Sequence, residues 1–371
     1  MKKIAFSIII IALITLVLFI TFRKNPVKVG YAGTLSGKNA PLGIAVKDGV
    51  LLALEEINAQ GGIKGRKLEL IIKDDKNDPE TVLKVDAELI EEGVCAIIGH
   101  VTSAMTEAAL PQANDKKMLL LSPTTSSLKV LEREDNLISI HPPNIYEQEA
   151  LAQYAIDHIE SISIIYDADN EAFSEPWVTY FSNTFQNMGG NVDAVYGFSS
   201  QNTVLFKATD EILTKNPQAV LIVASAIDTA SICQQIEKKY PEQVLKLSSG
   251  WGFDNALIEQ GGLSVNGLIL PNSWDKDSTN PPYLAFKEAF VERYKRDPQF
   301  AETYGYETVM VLSEALKSGV KPEPMQIKET ILSIEKFQGL QGTISIDQMG
   351  KTKRDVFLFT VENSFFKRIT E

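Results

Sequence analysis

The sequence predicts an α/β fold of two doubly wound lobes, and three observations lead there. Length is the first: 371 residues exceed one ordinary domain and suit two of about 150. The second is order: short apolar strands alternate with amphipathic helices along the body, which gives a parallel sheet covered on both faces. The third is a break at Pro142-Pro143, a stiff, non-helical joint after which the same alternation restarts.

The elements follow from periodicity. Val27–Thr34 is a short apolar strand, and Ile44–Asn58 carries Val46, Val50, Leu54 and Ile57 at helical spacing before Gly61-Gly62 stops it. Lys67–Lys73 is the next strand, Pro79–Glu92 a helix opened by Asp78-Pro79, Val94–Gly99 a buried strand, Ser103–Ala113 a helix and Met118–Ser122 a strand. Leu137–His141 leads into the proline joint. Beyond it, Tyr146–Ile159, Ser174–Met188, Thr203–Lys215 and Asp228–Tyr240 read as helices, and Ile162–Ala168, Val192–Phe198, Ala219–Ser225, Val244–Ser249 and Gly267–Pro271 as strands. Helices follow at Tyr283–Arg296, Tyr304–Ser318 and Pro324–Ile334, and Gly342–Asp347 and Asp355–Val361 look like two antiparallel strands. Crossings between the two units are expected near Pro142, Pro271 and Gly339–Gly342.

Residues 1–24 stand apart. Ile4–Phe22 is an uncharged run between Met1-Lys2-Lys3 and Arg23-Lys24, long enough as a helix to cover about 28 Å of hydrocarbon. It ends without a small-x-small cleavage site and no cysteine follows it, so it reads as an uncleaved signal-anchor, with a cleaved signal as the alternative. Lysines and arginines on both flanks leave its orientation open.

Composition excludes several function classes. With 48 acidic against 36 basic residues the formal charge is −12, the wrong sign for a nucleic-acid partner. Two cysteines, Cys95 and Cys233, and three scattered histidines make neither a disulfide scaffold nor a Cys/His metal site. G-x-S-x-G, H-E-x-x-H and the phosphate-loop pattern are missing. The run Gly61–Lys67 has the wrong glycine spacing and follows a helix, whereas a phosphate cradle follows a strand. No enzymatic activity and no cofactor are expected.

Two loops do suggest a site. Gly99-His100-Val101-Thr102-Ser103 and Leu121-Ser122-Pro123-Thr124-Thr125-Ser126-Ser127 each follow a strand, at the carboxyl edge where open α/β sheets bind ligands. Hydroxyls and unpaired N–H groups at helix starts suit a carboxylate or another acceptor-rich group. The plain alternative is that Ser103 and Thr125 only cap helices. Leu35–Gly43, with Leu42, ends at the same edge and is either a wall of the site or a loose connection.

These segments resemble a known family. Gly30-Tyr31-Ala32-Gly33-Thr34-Leu35-Ser36-Gly37, Asn58-Ala59-Gln60-Gly61-Gly62-Ile63-Lys64-Gly65, Asp74-Asp75, Asp78-Pro79, Ile98-Gly99 and Leu121-Ser122-Pro123 are similar to the Leu/Ile/Val-binding proteins, extracytoplasmic substrate-binding components of ABC importers with the type I periplasmic binding protein fold. The resemblance implies two lobes joined by three crossovers, here 25–142 plus 271–341 and 143–270 plus 342–371. It also implies a small ligand closed between them, a membrane permease as partner, and no chemistry on the ligand. It places the ligand carboxylate against Ser103, Ala104, Thr124, Thr125 and Ser126, and a second-lobe wall at Phe173, where the family usually has Tyr, and at Ala224–Asp228, including Ala226 and Asp228.

One position departs from the pattern. Amino-acid binders of the family keep an acid after the strand at Val244–Ser249, and Trp251 stands there. Burying an ammonium without an acid costs several kcal/mol. Asp254 or Asp228 substitutes, the ligand lacks an ammonium, or Trp251 itself faces a cation. The expected ligand is thus a branched-chain or other amino acid, an amide or a small carboxylate. A ligand-sensing receptor component on the same fold is the alternative function.

Overall fold

Val27–Gly33 (β1) is buried along nearly its whole length because it becomes an inner strand of a sheet covered on both sides. The structure, a computed structural model, describes residues 25–132, 135–199, 204–241 and 243–369. The anchor expected at Ile4–Phe22 lies outside them; among the described residues no helix is long and apolar enough to cross a membrane.

The first lobe runs β1, α1 (Ala40–Ala59), β2 (Leu68–Asp74), α2 (Pro79–Glu91), β3 (Ile97–Ile98), α3 (Ser103–Asp115), β4 (Leu120–Ser122), α4 (Leu128–Leu131) and β5 (Leu137–Ser139). Its five strands pair in the order β2-β1-β3-β4-β5, all parallel. α1 begins at Ala40, four residues before the periodicity suggested, because Pro41 fits a first helical turn. Leu42 is therefore helical.

After the proline joint come α5 (Ile145–Ile156), β6 (Ser161–Asp167), α6 (Glu171–Asn187), β7 (Asn191–Phe198), α7 (Leu205–Leu213), β8 (Ala219–Val223), α8 (Ala226–Lys239), β9 (Leu245–Ser248), α9 (Asn255–Gly261) and β10 (Ile269–Asn272). The chain then returns to the first lobe through α10 (Pro281–Tyr294), α11 (Phe300–Lys317) and α12 (Pro324–Ile334). α11 lies closely on α1: a Cβ built on Gly49 would stand 2.0 Å from Glu302 O, so only glycine allows the helices this near. Arg293 ties α10 to Glu55 of α1 with bonds of 2.8 and 2.7 Å.

Short strands close the chain: β11 (Lys336–Gln338), β12 (Thr343–Ile346), β13 (Thr352–Lys353), β14 (Phe357–Glu362) and β15 (Phe365–Arg368). The second sheet reads β15-β14-β10-β9-β8-β6-β7, parallel from β7 to β10 and antiparallel at β14 and β15. Two expectations change. The tail strands β12 and β14 do not pair with each other; β12 joins β11 and β13, and β14 fills a place beside β10. Pro271 is no joint but a member of β10, opposite Leu358. The chain re-enters the seven-stranded sheet only at Phe357, because Gly350 O and Thr352 Oγ1 are still bonded to Ser139 N and Ile140 O, both at 2.9 Å.

Candidate functional site

The two hydroxyl loops lie side by side at the carboxyl edge of the first sheet, held from behind by a buried charged cluster. His100 Nδ1 is 2.7 Å from Asp75 Oδ2, and its Nε2 is 3.3 Å from Asp86 Oδ1, with all three side chains buried. Burial pulls the imidazole down, yet Asp86 and Asp75 outweigh it and hold it up at about 10, so His100 is charged at neutral pH. Its carbonyl accepts from Ser122 Oγ at 2.8 Å, linking one loop to the next.

Within the loops the hydroxyls divide their tasks. Thr102 caps α3, its Oγ1 accepting from Met105 N at 3.4 Å, which leaves Ser103 on the cavity wall. Thr124 and Ser126 line the same wall, Thr124 while donating to Val101 O at 2.7 Å. Thr125 does not: it is fully buried, with Oγ1 2.6 Å from Thr106 Oγ1 and 2.8 Å from Ser122 Oγ. Ala104 N–H is taken by Asn170 Oδ1 of the second lobe at 3.0 Å.

The opposite wall comes from α5, α6 and the turn after β9. Phe173 and Trp251 meet edge to face at 5.5 Å between ring centroids. With Leu42, Val101, Asn170, His141, Glu147, Gly250 and Phe300 they enclose a narrow cavity of about 30 Å³, so the two walls must part before a small molecule enters.

The acids expected to replace the one missing at Trp251 are occupied elsewhere. Asp254 caps α9, accepting from Ala256 N at 2.7 Å, and burial pushes it up to about 6. Asp228 and Asp167 together bind Lys38 of the first lobe, at 3.2 and 2.7 Å. Ala226 is buried at the start of α8; like Asp228 and Asp254, it is not among the residues enclosing the cavity.

The acid that does reach the cavity is Glu147, in the first turn of α5. Its side chain is 4% exposed, and Oε1 has no hydrogen-bond partner. Burial pushes the carboxyl up to about 8. The sequence held a signal for it: Glu147, Leu151 and Ala155 share one buried stripe, so an acid at that spacing sits on the packed face of its helix. Behind it, Tyr304 stacks edge-on to His141 at 5.4 Å and under the Arg354 guanidinium at 4.4 Å. Glu307 holds Arg354 Nη2 at 2.5 Å and Leu340 N at 2.7 Å, joining the segments on either side of β12 to α11.

The family model described as periplasmic binding protein matches residues 26–365. The chain belongs to this family. A curated relative of this periplasmic binding protein, the leucine-, isoleucine-, valine-, threonine- and alanine-binding protein of Pseudomonas aeruginosa, is 23% identical over 92% of this chain and 90% of its own length. Among solved structures, a leucine-binding protein from Thermotoga maritima is 25% identical with a TM-score of 0.85, covering 93% of this chain and 98% of that one. An ABC-transporter solute-binding protein from Rhodopseudomonas palustris, in complex with benzoate, is 19% identical with a TM-score of 0.82, covering 93% and 95%. The type I fold of two α/β lobes is shared by this periplasmic binding protein and both structures. Among its described residues no group of three or more His, Cys, Asp or Glu side chains is placed to hold a metal ion.

Proposed function

We propose that this protein is the solute receptor of an ABC importer, closing its lobes on one small ligand with a carboxylate or amide end. The observation that supports it is the meeting of two unlike walls on a single small cavity: Ser103, Thr124 and Ser126 from one lobe, Phe173 and Trp251 from the other. The Ser103 and Ser126 hydroxyls on that wall favour an acceptor-rich end; the rings and Leu42 take an apolar body. Ala104, Thr125 and Asp228 act one step back, holding the loops and the closed cleft. The leucine- and benzoate-binding proteins of the same fold agree with a small acid as ligand.

The run Ile4–Phe22 is proposed to tether the receptor to the outer face of the cytoplasmic membrane beside its permease. Fractionation tests that part: full-length protein is expected with the membranes, a shortened chain from Asn25 in the soluble fraction, and a native soluble form lacking its N-terminus would refute it. A thermal-shift screen of amino acids, amides and small carboxylates tests the ligand class, since a compound bound only by the folded form raises Tm. No shift with any of them overturns the reading.

A further inference from the structure

Two groups face each other across the cleft without a hydrogen bond between them, and both are acceptors once Glu147 is ionised. His141 Nδ1 is 2.7 Å from Pro142 O; a carbonyl only accepts, so Nδ1 carries the hydrogen and Nε2 presents its lone pair. That Nε2 looks at Glu147 Oε1 from 3.9 Å, too far for a direct hydrogen bond, and Oε1 has no other partner. Glu147 is fixed from its other side by Gly250, where a Cβ would come within 2.7 Å of Oε2. Only glycine there admits the carboxyl.

Resting on the solute-receptor reading above, we propose that Glu147 and His141 form the ammonium subsite of this cleft, in place of the acid missing at Trp251, so that the ligand is an α-amino acid with an uncharged side chain. An ammonium has three donors and no acceptor, the complement of two facing acceptors. With its carboxylate on the hydroxyl loops, the side chain is left to Phe173, Trp251, Leu42 and Phe300, none of which offers a charge.

Binding then releases a proton. In the empty cleft the Glu147 carboxyl is protonated at neutral pH, since burial alone holds it near 8. The arriving ammonium keeps its own three hydrogens, Glu147 becomes carboxylate, and the displaced proton passes to solvent. His141, pulled down to about 4 by burial and by Arg354, stays neutral throughout. Tyr304, Arg354 and Glu307 stand behind His141, and Gly250 presents only backbone.

The test is calorimetric titration of the full chain with the twenty amino acids, 4-methylpentanoate and benzoate, in two buffers of different ionisation enthalpy. An amino acid with an uncharged side chain should bind with net proton release at pH 7, on the order of one proton or a fraction of it, and its affinity should rise with pH up to about pH 8. Glu147→Gln should weaken that amino acid roughly 100-fold, abolish the proton release and spare the des-amino acids. Amino-acid binding without proton release overturns the subsite, and needs no variant. Equal binding by Glu147→Gln, or tight binding of the des-amino acids alone, overturns it while the receptor reading stands. Failure of every compound overturns both.

Discussion

Lys38 Nζ stands 2.7 Å from Asp167 Oδ2, so the first loop of one lobe is ion-paired to the end of β6 in the other. Asp228 at 3.2 Å and Asp169 at 3.5 Å add to the same cation. Burial lowers Lys38, but Asp167 and Asp228 more than reverse it and hold the ammonium up at about 12. Ala104 N to Asn170 Oδ1 and Ser127 Oγ to Ala172 O, at 3.0 and 2.5 Å, cross the same cleft. The closed form is held by charge at its mouth and by hydrogen bonds further in.

Lys38→Met is therefore expected to favour the open form. Breaking a buried pair costs about 3–5 kcal/mol. Lys38 is about a third exposed, and opening rehydrates Asp167, so a loss near 1.4 kcal/mol, about tenfold in affinity, is expected. Small-angle scattering of the unliganded protein should show a larger radius of gyration. An unchanged radius and affinity would remove the latch.

Ser103→Ala and Thr125→Ala should separate binding from stability. Ser103 lines the cavity, and a hydrogen bond to a charged group is worth about 1.5–3 kcal/mol, so affinity should fall ten- to a hundred-fold with little change in Tm. The Thr125 hydroxyl is spent on Thr106 and Ser122; losing it strands buried groups at about 1–3 kcal/mol and should appear mainly as a lower Tm. The reverse pattern would exchange their roles.

The His100 cluster predicts a pH dependence of stability. Its folded value, about 10, lies above the ordinary 6.5. The contribution is therefore complete below pH 6.5 and lost as pH rises through 10. Glu147, raised by burial, acts in the same direction at lower pH, so the comparison must be with a variant. Denaturant unfolding between pH 6 and 10 should show wild type losing a few kcal/mol more than His100→Gln. Parallel curves would mean that His100 is neutral in the fold.

Cys95 and Cys233 are both buried and unpaired, and burial pushes each thiol up to about 12. Thiol reagents should find none in the native protein and two after denaturation. Native labelling, or a mobility shift on reduction, contradicts this.

What the sequence made legible follows from where its signals are strong. The inner strands are largely apolar because both faces are buried. β8 therefore reads as a continuous run, and β1 and β6 as apolar runs broken only by Lys28 in one and by Ser161, Ser163 and Asp167 in the other. β11 and β13 have three and two residues, too few for alternation to show. The hydroxyl loops were visible because strand ends in open sheets make sites. Lys38 was legible only as a loop charge, since its partner Asp167 lies 129 residues away. Glu147 sat in a helical stripe, and periodicity tells which face is packed, not that a cavity opens there.

The order of segments sets when the molecule can exist at all. α10–α12 complete the first lobe from residues 281–334, and β14 fills its place beside β10 only with residues 357–362. A chain emerging from the ribosome, or threaded N-terminus first through a membrane, therefore carries two unfinished lobes. Until β14 docks, β10 remains a bare strand edge open to wrong pairing. Each lobe thus waits on elements late in the sequence, and the two reach completion together.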